Sequence, residues 1–271
     1  MTATVIASVG VTERSPAGGA GRLDRDGVGI HYEVTGPAGG TPVLLTHGFS
    51  SSSRMWQPNA LARERQVITW DVRGHGRSDS PEDPARYSEA LSVEDMAAVL
   101  DAVGAGRAVV GGLSLGGYLS LAFHLAHRDR VAALMLFDTG PGYRKDAARE
   151  EWNRRVERTA AAIETGGTGA LRASPEVAMA ARGDPGGLAR AARGIMAQHD
   201  SRVIDSLATI AVPTLVVVGA NDTPFLAATE YMAGRIPGAV RVVIEGAGHA
   251  SNIDQPEAFD RAVLDFLRGC P

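Results

Sequence analysis

Residues 110–118 read Val-Gly-Gly-Leu-Ser-Leu-Gly-Gly-Tyr, which sets Ser114 inside Gly-x-Ser-x-Gly directly after the apolar run Ala108-Val109-Val110. The run is short and β-branched, as suits a strand buried on both faces of a parallel sheet. Beyond it, Leu115, Tyr118, Leu119, Ala122, Phe123 and Ala126 recur at helical spacing, so one face of a helix packs back on that sheet. Gly112 and Gly116 let the chain turn sharply from strand to helix. Such a turn lifts the Ser114 hydroxyl out at the top of the sheet, where a small molecule can reach it. Five residues of this pattern arise by chance in a glycine-rich chain, so the surrounding sequence has to carry the reading.

Working outward, the same alternation repeats. Apolar runs at 43–46, 67–70, 108–113, 131–137, 214–218 and 240–244 each lead into turn residues, and most then into a helical pattern. Strands alternating with helices predict a parallel sheet covered on both faces. Val28, Ile30, Tyr32 and Val34 recur at every second position after Asp26-Gly27, which predicts an antiparallel hairpin at the start of the sheet. The expected fold class is therefore α/β, with a mostly parallel eight-stranded sheet flanked by helices.

Residues 140–205 break the rhythm with charged, alanine-rich helical segments punctuated by Gly166-Gly167, Asp184-Pro185 and Gly186-Gly187. The stretch is too long for an ordinary connection and predicts a helical cap over the carboxyl ends of the strands, where open α/β sheets bind ligands. The expected organisation is a flexible arm over residues 1–20, a core made of 21–139 and 206–271, and a cap over 140–205.

The 271 residues suffice for one large α/β domain with an insertion. A formal net charge of −4, with arginines scattered among acidic residues, gives no electrostatic reason to expect nucleic acid or an anionic membrane as partner. The single cysteine, Cys270, excludes a disulfide framework and a cysteine-based metal site. No apolar run approaches the length of a membrane span, and the start lacks a basic segment before Glu13 and Arg14, so a cytoplasmic protein is expected. The expected partner is a small molecule; the sequence carries no signal for an oligomeric state.

A serine hydroxyl is a weak nucleophile at neutral pH and needs a base within hydrogen-bond reach, itself held by a third group. His249, in the loop Glu245-Gly246-Ala247-Gly248-His249-Ala250 after the last apolar run, has the freedom to reach Ser114 and is the expected base. Of the other histidines, His124 and His127 lie along the helix after Ser114, His31 on an early strand, His199 in the cap and His75 in a loop expected at the rim of the site. Asp222, after Val218-Gly219-Ala220-Asn221, is the expected orienting carboxylate. Its alternatives are a helix cap ahead of Pro224, or Asp138 at the end of an earlier strand taking the orienting role instead. His47-Gly48-Phe49 follows the third run; the backbone N–H groups of Phe49 and Leu115 are the expected donors to a developing oxyanion. The Asp71–Asp79 loop, where Asp71 and Arg73 can bond neighbouring backbone and Gly74 and Gly76 permit a tight turn, reads as structural. Candidates for the pocket wall are His47, Gly48, Phe49, Leu113, Tyr143, Trp152, Met196 and Phe225.

Taken together, His47-Gly48, Arg73-Gly74-His75-Gly76-Arg77-Ser78, Gly112-Leu113-Ser114-Leu115-Gly116-Gly117, Gly219-Ala220-Asn221-Asp222 and Gly248-His249 make the chain resemble the α/β-hydrolase superfamily over about residues 28–268. Within it the chain is most similar to small capped bacterial serine esterases and enol-lactonases. That resemblance implies hydrolysis of a small carboxylic ester, thioester or lactone through an acyl-enzyme, with catalytic Ser114, His249 and Asp222 and with no cofactor or metal. C–C bond hydrolysis and cofactor-free perhydrolysis use the same triad and stay open here, as does a ligand receptor built on the same shell. Ser114 in place of an aspartate argues against dehalogenases and epoxide hydrolases of this fold, and Phe49 against the glycine-rich motif of large lipases.

Overall fold

The computed structural model describes residues 18–171, 174–180 and 183–270. Most of the expected arm, residues 1–17, lies outside them, and the arm's last residues belong instead to the sheet. Strand β1 (Gly19–Asp24) pairs antiparallel with β2 (Gly29–Thr35). The turn between them places Asp26 and Gly27 at φ 55° and 81°, the left-handed geometry that a tight hairpin demands. The strands β3 (Val43–Thr46), β4 (Val67–Trp70), β5 (Ala108–Leu113), β6 (Val131–Phe137), β7 (Thr214–Gly219) and β8 (Val240–Ile244) complete one eight-stranded sheet, in the order β1-β2-β4-β3-β5-β6-β7-β8. From β4 to β8 every pairing is parallel, and β2 runs antiparallel to both of its neighbours.

The helices are α1 (Glu89–Ala102), α2 (Leu115–Ala126), α3 (Asp146–Gly166), α4 (Pro175–Ala178), α5 (Pro185–Ala191), α6 (Arg202–Ser206), α7 (Thr223–Arg235), α8 (Ser251–Asp254) and α9 (Pro256–Arg268). Because side chains alternate along a strand, neighbours such as Val43 and Leu44 enter different cores. Leu44, Ile68, Val110, Leu134 and Val216 pack with Met96 and Leu100 of α1, Leu119 and Phe123 of α2, and Met232 of α7. Val43, Leu45, Val109, Met135, Phe137 and Val217 pack with Trp56 and with Phe259, Val263 and Leu267 of α9. The Phe137 and Phe259 rings meet edge-on at 4.7 Å. Coverage on both faces explains why the central strands read as continuous apolar runs rather than alternating ones.

Between β6 and β7 the described residues carry helices and no strand. The long helix α3 carries charge on its outer side and buries Val156, Ala160 and Ile163 against Leu188, Ala189 and Ala192 of α5 and the turn after it. Phe49, from the loop after β3, packs into this third cluster together with Trp152, Leu171 and Met196. Further contacts join the segment to the core. The Ser51 hydroxyl donates to the Glu176 carbonyl at 2.8 Å, and that of Ser52 to the Met179 carbonyl at 3.2 Å. Gly74, at φ 78°, lies so close to α5 that a Cβ there would sit 2.6 Å from the Gly187 carbonyl oxygen.

Candidate active site

Strand β5 delivers Ser114 to the carboxyl edge of the sheet, and the serine turns into α2 at φ 55° and ψ −115°, a strained conformation for a residue with a Cβ. Surrounding bonds hold it there. Its N–H donates to the Phe137 carbonyl at 2.9 Å, and its own carbonyl accepts from the Tyr118 N–H at 3.1 Å and the Thr139 hydroxyl at 2.6 Å. A Cβ on Gly112 would lie 2.5 Å from the Gly116 carbonyl carbon, and one on Gly116 would lie 2.8 Å from the His47 carbonyl oxygen. Only glycine lets the start of α2 press this closely on the ends of β3 and β5.

The loop after β3 closes on the same point: a Cβ at Gly48 would be 3.6 Å from the Cβ of Ser114. His47 does not face open space. Its ring is fully buried, Nδ1 donates to the Gly48 carbonyl at 2.7 Å, and Nε2 accepts from the Val72 N–H at 3.0 Å. Burial lowers its pKa, against the raising effects of Asp71 and the Gly48 carbonyl, so the neutral ring serves as a brace between two loops. His75, expected at the rim, is buried too. Its pKa falls to about 3 through burial and the neighbouring His47, and its ring stands edge-on to Phe49 at 5.4 Å. Among the described residues neither the Phe49 nor the Leu115 N–H donates to a protein acceptor. Leu115 opens α2, where the helix leaves amides without internal partners.

On the other flank, Gly219 lets the loops after β7 and β8 touch, since a Cβ there would meet the Ala247 carbonyl carbon at 2.7 Å. Asn221 N–H donates to the Ala247 carbonyl at 2.8 Å, which fixes the two loops in register. As a result the Asp222 carboxylate accepts from His249 Nδ1 at 2.8 Å. Asp222 stands at the N-cap position of α7 yet makes no side-chain capping bond, so its carboxylate is committed to the imidazole. The Phe225 ring stacks on His249 at 4.8 Å and 26°. Burial pulls the His249 pKa down, but the hydrogen bond and charge of Asp222, with the charges of Asp138 and Glu176, outweigh it and leave it above 6.5. Among the described residues no hydrogen bond joins His249 to Ser114, so Nε2 has no protein partner.

Asp138, the rival carboxylate, has another occupation. Fully buried at the end of β6, it accepts from the Gly219 N–H at 2.8 Å through Oδ1, and from the Ser251 N–H at 3.3 Å and hydroxyl at 2.5 Å through Oδ2. It ties the end of β6 to the end of β7 and to the residue two past His249. In the Asp71 loop, Asp71 accepts from the Ser53 and Arg77 amides at 2.7 and 2.9 Å, and the buried Arg73 grips Asp95 at 2.6 and 2.8 Å. Both bear out a structural reading of that loop, although Asp95 as the partner was not foreseen.

A cavity of about 250 Å³ opens between the core loops and the helical segment, lined in part by Ser50, Ser51, His75, Val177 and Leu188. Tyr143, Trp152, Met196 and Phe225 are not among its lining residues. Trp152 donates to the Met196 carbonyl at 2.8 Å and lies 6.0 Å from the Tyr143 ring, so these three form one patch of the helical segment, while Phe225 belongs to His249. Sequence reasoning missed Ser251 and Glu176, both buried polar residues in loops or short helices. The pattern Ser174-Pro175-Glu176 signals a helix start but not what it faces. Among the described residues no group of three or more His, Cys, Asp or Glu side chains is placed to hold a metal, and no helix is long and apolar enough to cross a membrane.

Comparison with known proteins adds to this geometry. A model of the alpha/beta hydrolase family matches residues 43–262. The chain is 28% identical over 268 residues to 3-oxoadipate enol-lactonase 1 of Acinetobacter baylyi, covering 90% of this chain and 95% of that one. A solved thermophilic esterase from Thermogutta terrifontis superposes with a TM-score of 0.77 at 33% identity, covering 92% of this chain and 98% of that one. The enol-lactonase from Burkholderia xenovorans LB400 gives 0.74 at 26% identity, covering 92% and 100%.

Proposed function

Because this chain belongs to the alpha/beta hydrolase family, we propose that it is a serine hydrolase of a small carboxylic ester, thioester or lactone, acting through Ser114, His249 and Asp222. The observation that carries the reading is the 2.8 Å bond from His249 Nδ1 to Asp222, together with a serine held at positive φ at the end of β5. In this reading His249 Nε2 takes the Ser114 proton as Oγ attacks the carbonyl carbon. Asp222 fixes the tautomer with Nδ1 protonated and steadies the imidazolium that forms. The Phe49 and Leu115 amides receive the oxyanion. Collapse of the tetrahedral intermediate expels the alcohol or thiol with the proton from His249, and water, activated by the same base, releases the acid. Residues 140–205 act as a cap over the site, a role supported by the contacts of Phe49, Ser51 and Ser52 with that segment.

The names of the similar proteins, an esterase and two enol-lactonases, favour ester and lactone bonds. Intact-mass analysis after incubation with a fluorophosphonate tests the reading. The parent chain is expected to gain one adduct and the Ser114→Ala variant none, with turnover of a p-nitrophenyl ester falling by about 10⁴-fold or more in the variant. A folded parent that neither labels nor turns over esters would sink it.

A further inference from the structure

The Glu176 carboxylate is unaccounted for by the reaction. It sits on α4 and is 9% exposed, and its Oε2 is buried with no hydrogen-bond partner among the described residues. Two observations locate it. The Ser51 hydroxyl binds its backbone carbonyl at 2.8 Å, and Ser51 lies two residues past Phe49. Helix α4 also packs on α8, which starts two residues past His249. Glu176 thus stands where the cap segment meets both the oxyanion loop and the histidine loop, and its charge is felt by the His249 ring. The Asp222 carboxylate acts on the same ring, and Asp138 adds its charge once it ionises. Among the described residues the buried arginine, Arg73, is held on Asp95 by two bonds, at 2.6 and 2.8 Å, and is spent there.

A buried carboxylate oxygen without a donor is costly unless something fills the position, and a bound molecule with a donor can fill it. We propose that Glu176 sets the substrate's charge: Oε2 accepts a hydrogen bond from an ammonium, hydroxyl or amide group on the substrate, and the site takes cationic or donor-bearing esters and turns away those carrying a second carboxylate. The inference deepens the serine-hydrolase reading and rests on it for its turnover assay. It needs no change in the chemistry at Ser114, only a preference among acyl or leaving groups.

The p-nitrophenyl esters of aminohexanoate, heptanoate and adipate (as the monoester) share a chain length and differ in the charge at its far end. The native enzyme is expected to show kcat/KM for the cationic ester at least about tenfold above that for the anionic one at low salt, narrowing as salt rises. In Glu176→Gln, which keeps the shape, that ratio is expected to shrink by about tenfold. A ratio near unity in the native enzyme, or one unmoved by Glu176→Gln in a variant with native circular dichroism, overturns the proposal. Thermal-shift titration with hexylamine and with adipate reads the same preference without turnover. If Ser114 is inert yet hexylamine alone stabilises the native chain, the reaction reading fails and the charge preference stands. Equal shifts with both ligands defeat the charge preference whatever Ser114 does.

Discussion

Asp138 offers a measurable contest between burial and hydrogen bonding. Burial pushes its carboxyl up to about 7, against the hydrogen bonds of Ser251 and Gly219, which favour the ionised form. With its folded-state pKa above the 3.8 of an ordinary aspartate, the native chain keeps a proton that the unfolded chain has released across the interval up to about 7. The stability it contributes is complete below pH 3.8 and is lost as pH rises through about 7. Between pH 5 and pH 8 such a group gives up about 2.6 kcal/mol, at 1.36 kcal/mol for each unit of displacement. Asp138→Asn keeps the shape and removes the titration. One of the donors at Gly219 or Ser251 loses its acceptor in the variant, a roughly constant cost of about 1–3 kcal/mol. Urea unfolding of both chains at half-unit pH steps isolates the effect, because the histidines titrate in both. The native chain's advantage over the variant is expected to shrink by about 2.6 kcal/mol from pH 5 to pH 8. A difference that stays flat, or one that grows with pH, would refute the reasoning and mean that the donors hold the carboxylate ionised throughout.

Other perturbations probe separate parts of the argument. Asp222→Asn is expected to lower kcat/KM by about 10³- to 10⁴-fold on a p-nitrophenyl ester by favouring the wrong tautomer. With burial left to act on His249, its acidic limb should also move to lower pH; a pH–rate profile with an unmoved limb counts against the assignment. Gly116→Ala drives a methyl group to 2.8 Å from the His47 carbonyl oxygen, and is expected to cost about 3 kcal/mol or abolish soluble expression, read by thermal unfolding. Arg73→Met leaves the buried Asp95 with Arg25 alone, at 3.1 Å, and is expected to cost about 3 kcal/mol, part of it recovered in the double variant with Asp95→Leu, which in turn frees the partly exposed Arg25. No recovery in that double variant would mean that Arg73 acts mainly through its bond to the Arg86 carbonyl.

The sheet was legible because its central strands are buried on both faces and read as unbroken apolar runs, and the sharp turn at Ser114 because its glycines are demanded by backbone contacts within a few residues. Strand β1 was not. Gly19-Ala20-Gly21 has little strand propensity and forms because β2 pairs with it, Ala20 facing Glu33, so a long-range partner overrides the local signal. His47 read as pocket wall because its neighbour Gly48 lies at the site, yet what decides its role is the Val72 amide, 25 positions away. Glu176 was illegible for the same reason: its anchor, Ser51, is 125 positions distant. Sequence patterns report periodicity and tight turns. They do not report which polar group meets which across the fold.

That limit bears on how the site's carboxylates divide their work. Asp138 and Asp222 both end or follow a strand at the same edge, and the sequence alone offers either as the partner of His249. Their donors separate them. Both oxygens of Asp138 already receive fixed donors, from Gly219 and from Ser251, so it holds loops together and has no oxygen left for the imidazole. Asp222 caps no helix amide and meets the imidazole. Among the described residues Glu176 Oε2 is the one buried oxygen of these three carboxylates that receives no donor, which leaves it open to something that arrives from outside. Exchanging the donors should exchange the roles. Ser251→Ala takes from Asp138 its hydroxyl donor and leaves the carboxylate harder to ionise, which should raise its pKa further and carry the fall in stability to higher pH.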